Sequence, residues 1–166
     1  GEIGLCTTPG EKGYDSSTCV QCRNPEDNGA FQFGTLLADP EPIRLATLCG
    51  DDGKGCAAMA QQRWELIQSQ AEQAYDRSSA CLFTSFAAYE YTNTEMVSNL
   101  HRNVVFRNKH VPTTPVTYYE APEPQKLWEA LDSQCNQSNS GCEVLVIPHN
   151  SNLSNGRMFA PTYPEN

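Results

Sequence analysis

The chain has 166 residues, enough for one domain with a core of its own. Charged residues make up 19% and hydrophobic residues 39%, a polar composition but not that of a disordered chain. The formal net charge of -9 and the absence of a Lys/Arg cluster argue against a nucleic-acid partner, because an acidic surface repels phosphates. No apolar run approaches the length of a membrane span, so none is expected. Phosphate-ester substrates remain open to an acidic protein whose site is neutralised by bound cations.

Residues 1–56 read as a loop-rich, disulfide-stapled insertion. Gly4, Pro9, Gly10, Gly13, Pro25, Gly29, Gly34, Pro40 and Pro42 punctuate them, and neither a period of 2 nor one of 3.6 persists. Eight cysteines are an even and high count that a reducing cytosol rarely keeps, so a secreted or periplasmic location is expected. Cys19-Val-Gln-Cys22 has the spacing of half a zinc site or of a redox motif. No second pair of that spacing follows, and its Gly/Pro/Ser-rich surroundings do not fit a strand-to-helix redox site, which favours structural disulfides. Cys49 and Cys56, and Cys135 and Cys142, each bracket a turn-rich segment and are expected to form local bridges. Cys6, Cys19, Cys22 and Cys81 are left with no pairing assigned.

Residues 57–166 read as part of an α/β fold. A helix is expected over about 56–75, with Ala60, Trp64, Ile67, Ala71 and Ala74 on one apolar face. Cys81 to Tyr91, rich in aromatics, reads as a buried strand, and Leu100 to Phe106 as a second, with a polar turn between them that allows hairpin-like pairing. A second helix is expected from Pro124 to Cys135 and a third strand over Glu143 to Ile147. Helix followed by a short apolar strand is the α/β rhythm. The tail from Asn150 onward reads as loop.

Three positions stand out chemically. Glu90 closes an apolar strand, where a carboxylate without a partner is costly to bury. His101 opens the next strand and His149 follows the last. Sites in α/β sheets and barrels are built at strand ends, and a carboxylate with imidazoles suits Zn, Mn or Fe. Taken singly, each has a plainer reading: a surface or ion-paired Glu, a satisfied His. The Asn150–Gly156 segment is dense in small hydrogen-bonding side chains, which fits either a turn or a loop that touches an oxygen-rich substrate. His110 reads as surface.

Four stretches carry a family resemblance: residues 1–10 (Gly-Glu-Ile-Gly-Leu-Cys-Thr-Thr-Pro-Gly), residues 88–92 (Ala-Tyr-Glu-Tyr-Thr), residues 99–107 (Asn-Leu-His-Arg-Asn-Val-Val-Phe-Arg) and residues 147–156 (Ile-Pro-His-Asn-Ser-Asn-Leu-Ser-Asn-Gly). Together they resemble the bacterial family called domain of unknown function 3604, over essentially the whole chain. That family is similar to the PHP superfamily, named for polymerase and histidinol phosphatase domains. The resemblance implies part of a distorted (β/α) barrel, a cluster of divalent metal ions (Zn, Mn or Fe) and hydrolysis of phosphate esters. It implies metal-ligand roles for Glu90, His101 and His149, with Glu90 able to bridge two ions. Arg102, Asn150 and Asn152 are then candidates for substrate contact.

The superfamily's His-x-His, Asp-His and late Asp-x-His motifs are missing from this sequence. The expectation is therefore an internal piece of a longer metal-dependent hydrolase, inactive alone and partnered by the remainder of that polypeptide. The alternative is a structural protein that self-associates through strand edges without catalysis.

Overall fold

The computed structural model describes residues 2–26, 28–35, 42–94 and 98–159. Among the described residues five helices come first: α1 (Glu2–Thr7), α2 (Ser17–Arg23), α3 (Gly29–Thr35), α4 (Ala46–Cys49) and the long α5 (Lys54–Ala74). Three strands and one further helix follow: β1 (Ala88–Asn93), β2 (Leu100–Phe106), α6 (Pro124–Leu131) and β3 (Val144–Pro148). A π-helical turn over Asp132–Asn136 extends α6.

The first region is thus more regular than its punctuation predicts. Helices of four to seven residues are too short to display a period and too short to persist on propensity alone. Local devices hold them. The Ser16 hydroxyl caps α2 by accepting from the Cys19 backbone N–H at 3.2 Å. The Cys6–Cys19 disulfide ties α1 to α2, and Cys49–Cys56 ties α4 to α5. Arg23 donates to the carbonyls of Cys6 and Tyr14, both at 2.7 Å, and lies over the Tyr14 ring. Gly29 is required where α3 meets α2, since a Cβ there would overlap the Gln21 carbonyl. Leu5, Phe33, Leu48, Met59 and these four half-cystines form one small core.

Cys135–Cys142 is the third bridge, so both local pairings expected from spacing are present. Cys22 and Cys81 are free thiols, and Cys19 pairs with Cys6 rather than with its C-x-x-C neighbour.

The second core lies under the sheet. β2 is central, pairing antiparallel with β1 on one side and with β3 on the other. Val104 faces Tyr89 and Val146, and Phe106 faces Val144. This face packs on Trp64 of α5, on Leu127 and Leu131 of α6, and on Val116, Tyr118 and Ala121 of the connecting loop. Trp64 is 1% exposed, stands edge-on to Tyr89 with centroids 5.6 Å apart, and donates its indole N–H to the Pro112 carbonyl at 2.9 Å.

Three expectations are corrected. The sheet is not a barrel: three antiparallel strands leave the outer edges of β1 and β3 unpaired among the described residues, and a sheet of this size cannot close. The strand expected from Cys81 begins only at Ala88. Residues 81–87 carry no ladder, and Leu82, Phe83 and Phe86 are exposed, so aromatic content alone misplaces the boundary. On α5, Trp64 is buried and Ala60 and Ala71 are half-buried, but Ile67 and Ala74 face outward, because the helix runs past the core it packs on. From Asn150 to Phe159 the chain has turns and no regular element, as expected. The rest of the expected loop, residues 160–166, lies outside the described residues.

Candidate metal centre

Strand alternation sorts the candidate residues. On β1, Glu90 and Thr92 point away from the core; opposite them on β2 lie Asn103 and His101. The ladder runs one residue past β3, with the His149 N–H donating to the His101 carbonyl at 3.2 Å. His149 therefore stands beside His101 on the same, open face, their ring centroids 5.9 Å apart. The β1–β2 hairpin and the distant segment after β3 converge here because the register of both strand pairs is set by the buried face.

The Glu90 carboxylate lies between the two imidazoles. Its Oε1 is 2.7 Å from His101 Nδ1 and its Oε2 is 3.6 Å from His149 Nε2. Glu90 is about half exposed at its side chain, His149 about a third, and His101 less. His149 Nε2 is buried and has no hydrogen-bond partner among the described residues. A buried imidazole nitrogen left that way is costly unless something else uses it. Thr92, which neither residue type nor motif singles out, sits among these groups. Its hydroxyl is 3.2 Å from Glu90 Oε1 and 3.0 Å from His101 Nδ1. A period of 2 from Glu90 is the signal that finds it.

The three proposed substrate contacts fare differently. Arg102 lies on the opposite face from His101, 1% exposed, its guanidinium 5.6 Å from the centre of the Trp128 ring and donating to the Leu100 carbonyl at 3.2 Å. Neighbours in a strand point to opposite faces, so the His101-Arg102 adjacency in sequence separates them in space. Asn150 and Asn152 are exposed just beyond His149. Asn150 takes a left-handed conformation (φ 57°), and its Oδ1 accepts from the Asn152 N–H at 3.4 Å. The loop is pinned to the start of β2: the Leu153 carbonyl accepts from Asn99 N–H at 2.9 Å, and Asn155 Nδ2 donates to the Ser98 hydroxyl at 3.1 Å.

Among the described residues, the trio of ligand-type groups that meets at close range is not Glu90, His101 and His149 but a buried one elsewhere. Glu2, Cys49 and Cys56 place their donor atoms within 4.8 Å of one another. Both sulfurs are committed to a disulfide, so they offer no thiolate, and Glu2 is ion-paired with Arg44 at 3.2 Å.

A cavity of about 300 Å³ runs along the outer edge of β1. Its β1 wall extends from Glu90 to Thr94, and its other wall comes from α1, α3, Arg44 and residues 117–119. Glu90 therefore belongs both to the imidazole pair and to this cavity.

No curated protein and no solved structure matches the chain. No helix among the described residues is long and apolar enough to cross a membrane. One family model, described as "Protein of unknown function (DUF3604)", matches residues 7–166, a span that takes in Glu90, Thr92, His101 and His149, and the chain belongs to that family.

Proposed function

We propose that Glu90, His101 and His149 are ligands in the divalent metal centre of a PHP-type hydrolase that cleaves phosphate esters. The observation that carries this reading is the position of Glu90: each of its carboxylate oxygens faces a different imidazole, at 2.7 and 3.6 Å, on an open sheet face. Glu90, together with His101 and His149, would hold divalent metal on this face. The His149 Nε2, buried and without a hydrogen bond among the described residues, has the lone pair such an ion would take. The donor set of carboxylate and imidazole suits Zn, Mn or Fe.

Divalent metal there would supply a Lewis acid that activates water and offsets charge on the phosphoryl oxygens. The chain's own residues do the positioning. Thr92 donates its hydroxyl to Glu90 Oε1 and so orients the carboxylate, as groups behind metal ligands commonly do. Asn150 and Asn152 lie exposed next to His149 and can offer amides to polar oxygens of a substrate. Arg102, packed against Trp128 on the far face, is left out of the site.

Three ligands are fewer than two ions require, and the open edges of β1 and β3 leave room for more strands. We therefore place the chain within a longer polypeptide that completes the ligand set, this segment alone being inactive. The three disulfides fit an oxidising compartment, outside the bacterial cytoplasm.

The test is elemental analysis and phosphatase assay of the intact protein beside its Glu90→Gln and His149→Asn variants. About two ions per chain are expected in the parent, with loss of metal and of hydrolysis in both variants. Unchanged metal content and activity in either variant would sink the reading.

A second reading has its own observation. Leu145 and Ile147 of β3 are 60% and 43% exposed beside an unpaired strand edge, a surface suited to pairing with another copy. Metal-free protein that sediments as an oligomer, and becomes monomeric with Ile147→Lys, would favour assembly over catalysis.

A further inference from the structure

The cavity beside β1 bears on which phosphate ester this site takes, an inference that rests on the hydrolase reading above. Its walls are mostly apolar and aromatic: Ile3 on α1, Phe33 on α3, and Tyr118 and Tyr119 from the loop before α6. Phe33 and Tyr118 are buried, so the aromatic wall is preformed and held by the two cores behind it. The volume, about 300 Å³, lies at the small end of the range for ligand pockets and suits a single ring or a short branched chain.

The charge of the cavity argues against a second anionic group on the ligand. Arg44 is its one cation among the described lining residues, and that charge is already engaged. Arg44 pairs with Glu2 at 3.2 Å and with Glu120 at 2.8 Å, and its guanidinium lies over the Tyr119 ring at 4.3 Å. Two carboxylates on one guanidinium leave this end of the cavity acidic. Burial, and after it the nearby Glu2, push the Tyr119 phenol above its ordinary range.

Glu90 connects cavity and metal centre, since one carboxylate faces the imidazoles and also lines the cavity mouth. We propose that this cavity is the leaving-group subsite of the hydrolase, selecting phosphate monoesters whose alcohol is apolar and uncharged, a benzyl-sized group being the best fit. In the reaction, water adds its oxygen to phosphorus as the ester P–O bond breaks. The departing alkoxide takes up the proton that water releases, giving a free alcohol and inorganic phosphate. The cavity holds the alcohol portion while the phosphoryl group stays over Glu90, His101 and His149.

The experiment compares kcat/KM for benzyl phosphate, ethyl phosphate and the phosphate ester of 3-hydroxypropanoate on the intact metal-loaded protein. The alcohols differ little in acidity, so binding decides the ranking. Benzyl phosphate is expected to lead ethyl phosphate by at least about tenfold, and the carboxylated ester to trail both. Ile3→Asp, a change at an exposed position of α1, should narrow the benzyl-to-ethyl ratio, whereas Ile3→Leu should preserve it. Hydrolysis of all three esters at equal efficiency, or an unaltered ratio in Ile3→Asp, overturns the subsite while leaving the hydrolase reading intact. Failure to hydrolyse any ester overturns the hydrolase reading. The cavity is then judged by calorimetry with benzylphosphonate against methylphosphonate: tighter binding of the benzyl compound supports the subsite, and equal or no binding overturns it.

Discussion

The two cores of this molecule are built by different means. The one beneath α1–α4 counts four half-cystines among its buried members, Cys6, Cys19, Cys49 and Cys56, and its helices are a turn or two long. The one beneath the sheet includes a single bridge, Cys135–Cys142, but has Trp64, Tyr91, Phe106, Leu127 and Leu131 at its centre, set by strand alternation and by the apolar face of α6. The first core is small enough to need covalent staples, and the second buries enough aromatic area to hold a sheet. The chemistry follows the same division. The ionisable trio sits on the sheet because only a regular register brings residues 90, 101 and 149 to one place.

The helix α5 joins the two, with Cys56 and Met59 in the first core and Trp64 in the second. Trp64→Ala should therefore have the largest effect on stability. It removes a fully buried ring, its edge contact with Tyr89, its packing on Phe106 with centroids 5.5 Å apart and its hydrogen bond to Pro112. The expected loss is about 3–5 kcal/mol, measured by urea unfolding followed by far-ultraviolet circular dichroism. If the Cys6–Cys19 bridge in this variant still resists mild reductant, the cores are separate cooperative units. If it becomes reducible in parallel with loss of the sheet, the contrast between them collapses into one unit.

The converse experiment removes a staple. Cys6→Ala with Cys19→Ala opens a loop with a sequence separation of 13 and should cost about 3 kcal/mol. Opening Cys135–Cys142, with a separation of 7 and anchored at a sheet already packed by α6, should cost somewhat less, about 2.5 kcal/mol. Calorimetric unfolding of both variants decides the order. An equal or larger loss at the second bridge would show that the stapled region does not depend on its disulfides more than the sheet does.

The same contrast explains which parts of the molecule are legible in the sequence. β2 is legible because Leu100, Val104 and Phe106 alternate with half-exposed neighbours, and the long helix because Trp64 recurs at helical spacing with smaller residues. The local disulfides are legible because each spans a short, turn-rich segment. The four short helices are not, since four to seven residues cannot establish a period and their order comes from bridges and from Arg23 and Ser16. At the site, residue type points to Glu90, His101 and His149; the two histidines lie at strand ends as expected, whereas Glu90 stands within β1 and half exposed rather than closing a buried strand, and the fold puts all three on one face. The face that Arg102 occupies is open to deduction from its adjacency to His101, but motif proximity obscures it. The antiparallel pairing of β1 with β2 is legible in the polar turn between them, but the addition of β3 to the other edge of β2 is a long-range property that no local pattern encodes.

The smallest expected effect isolates the site from the scaffold. Thr92 is half-buried on the open face and contributes a hydroxyl between Glu90 Oε1 and His101 Nδ1. Thr92→Val keeps the shape and the β-branch, so the sheet should lose little stability, about 1 kcal/mol or less. Without the hydroxyl, Glu90 Oε1 loses a donor and keeps its direct contact with His101 Nδ1 at 2.7 Å. In a metal site, loss of such a supporting hydrogen bond weakens binding by about tenfold or more. Chelator competition on the intact protein measures that factor, and Thr92→Ser, which retains the hydroxyl, should restore most of it. Parallel losses of metal affinity in Thr92→Val and Thr92→Ser would assign the effect to packing on the open face. A loss confined to the valine variant assigns it to the hydroxyl, and makes the sheet's solvent-facing side, rather than its packed core, the part of the molecule that sequence constrains for chemistry.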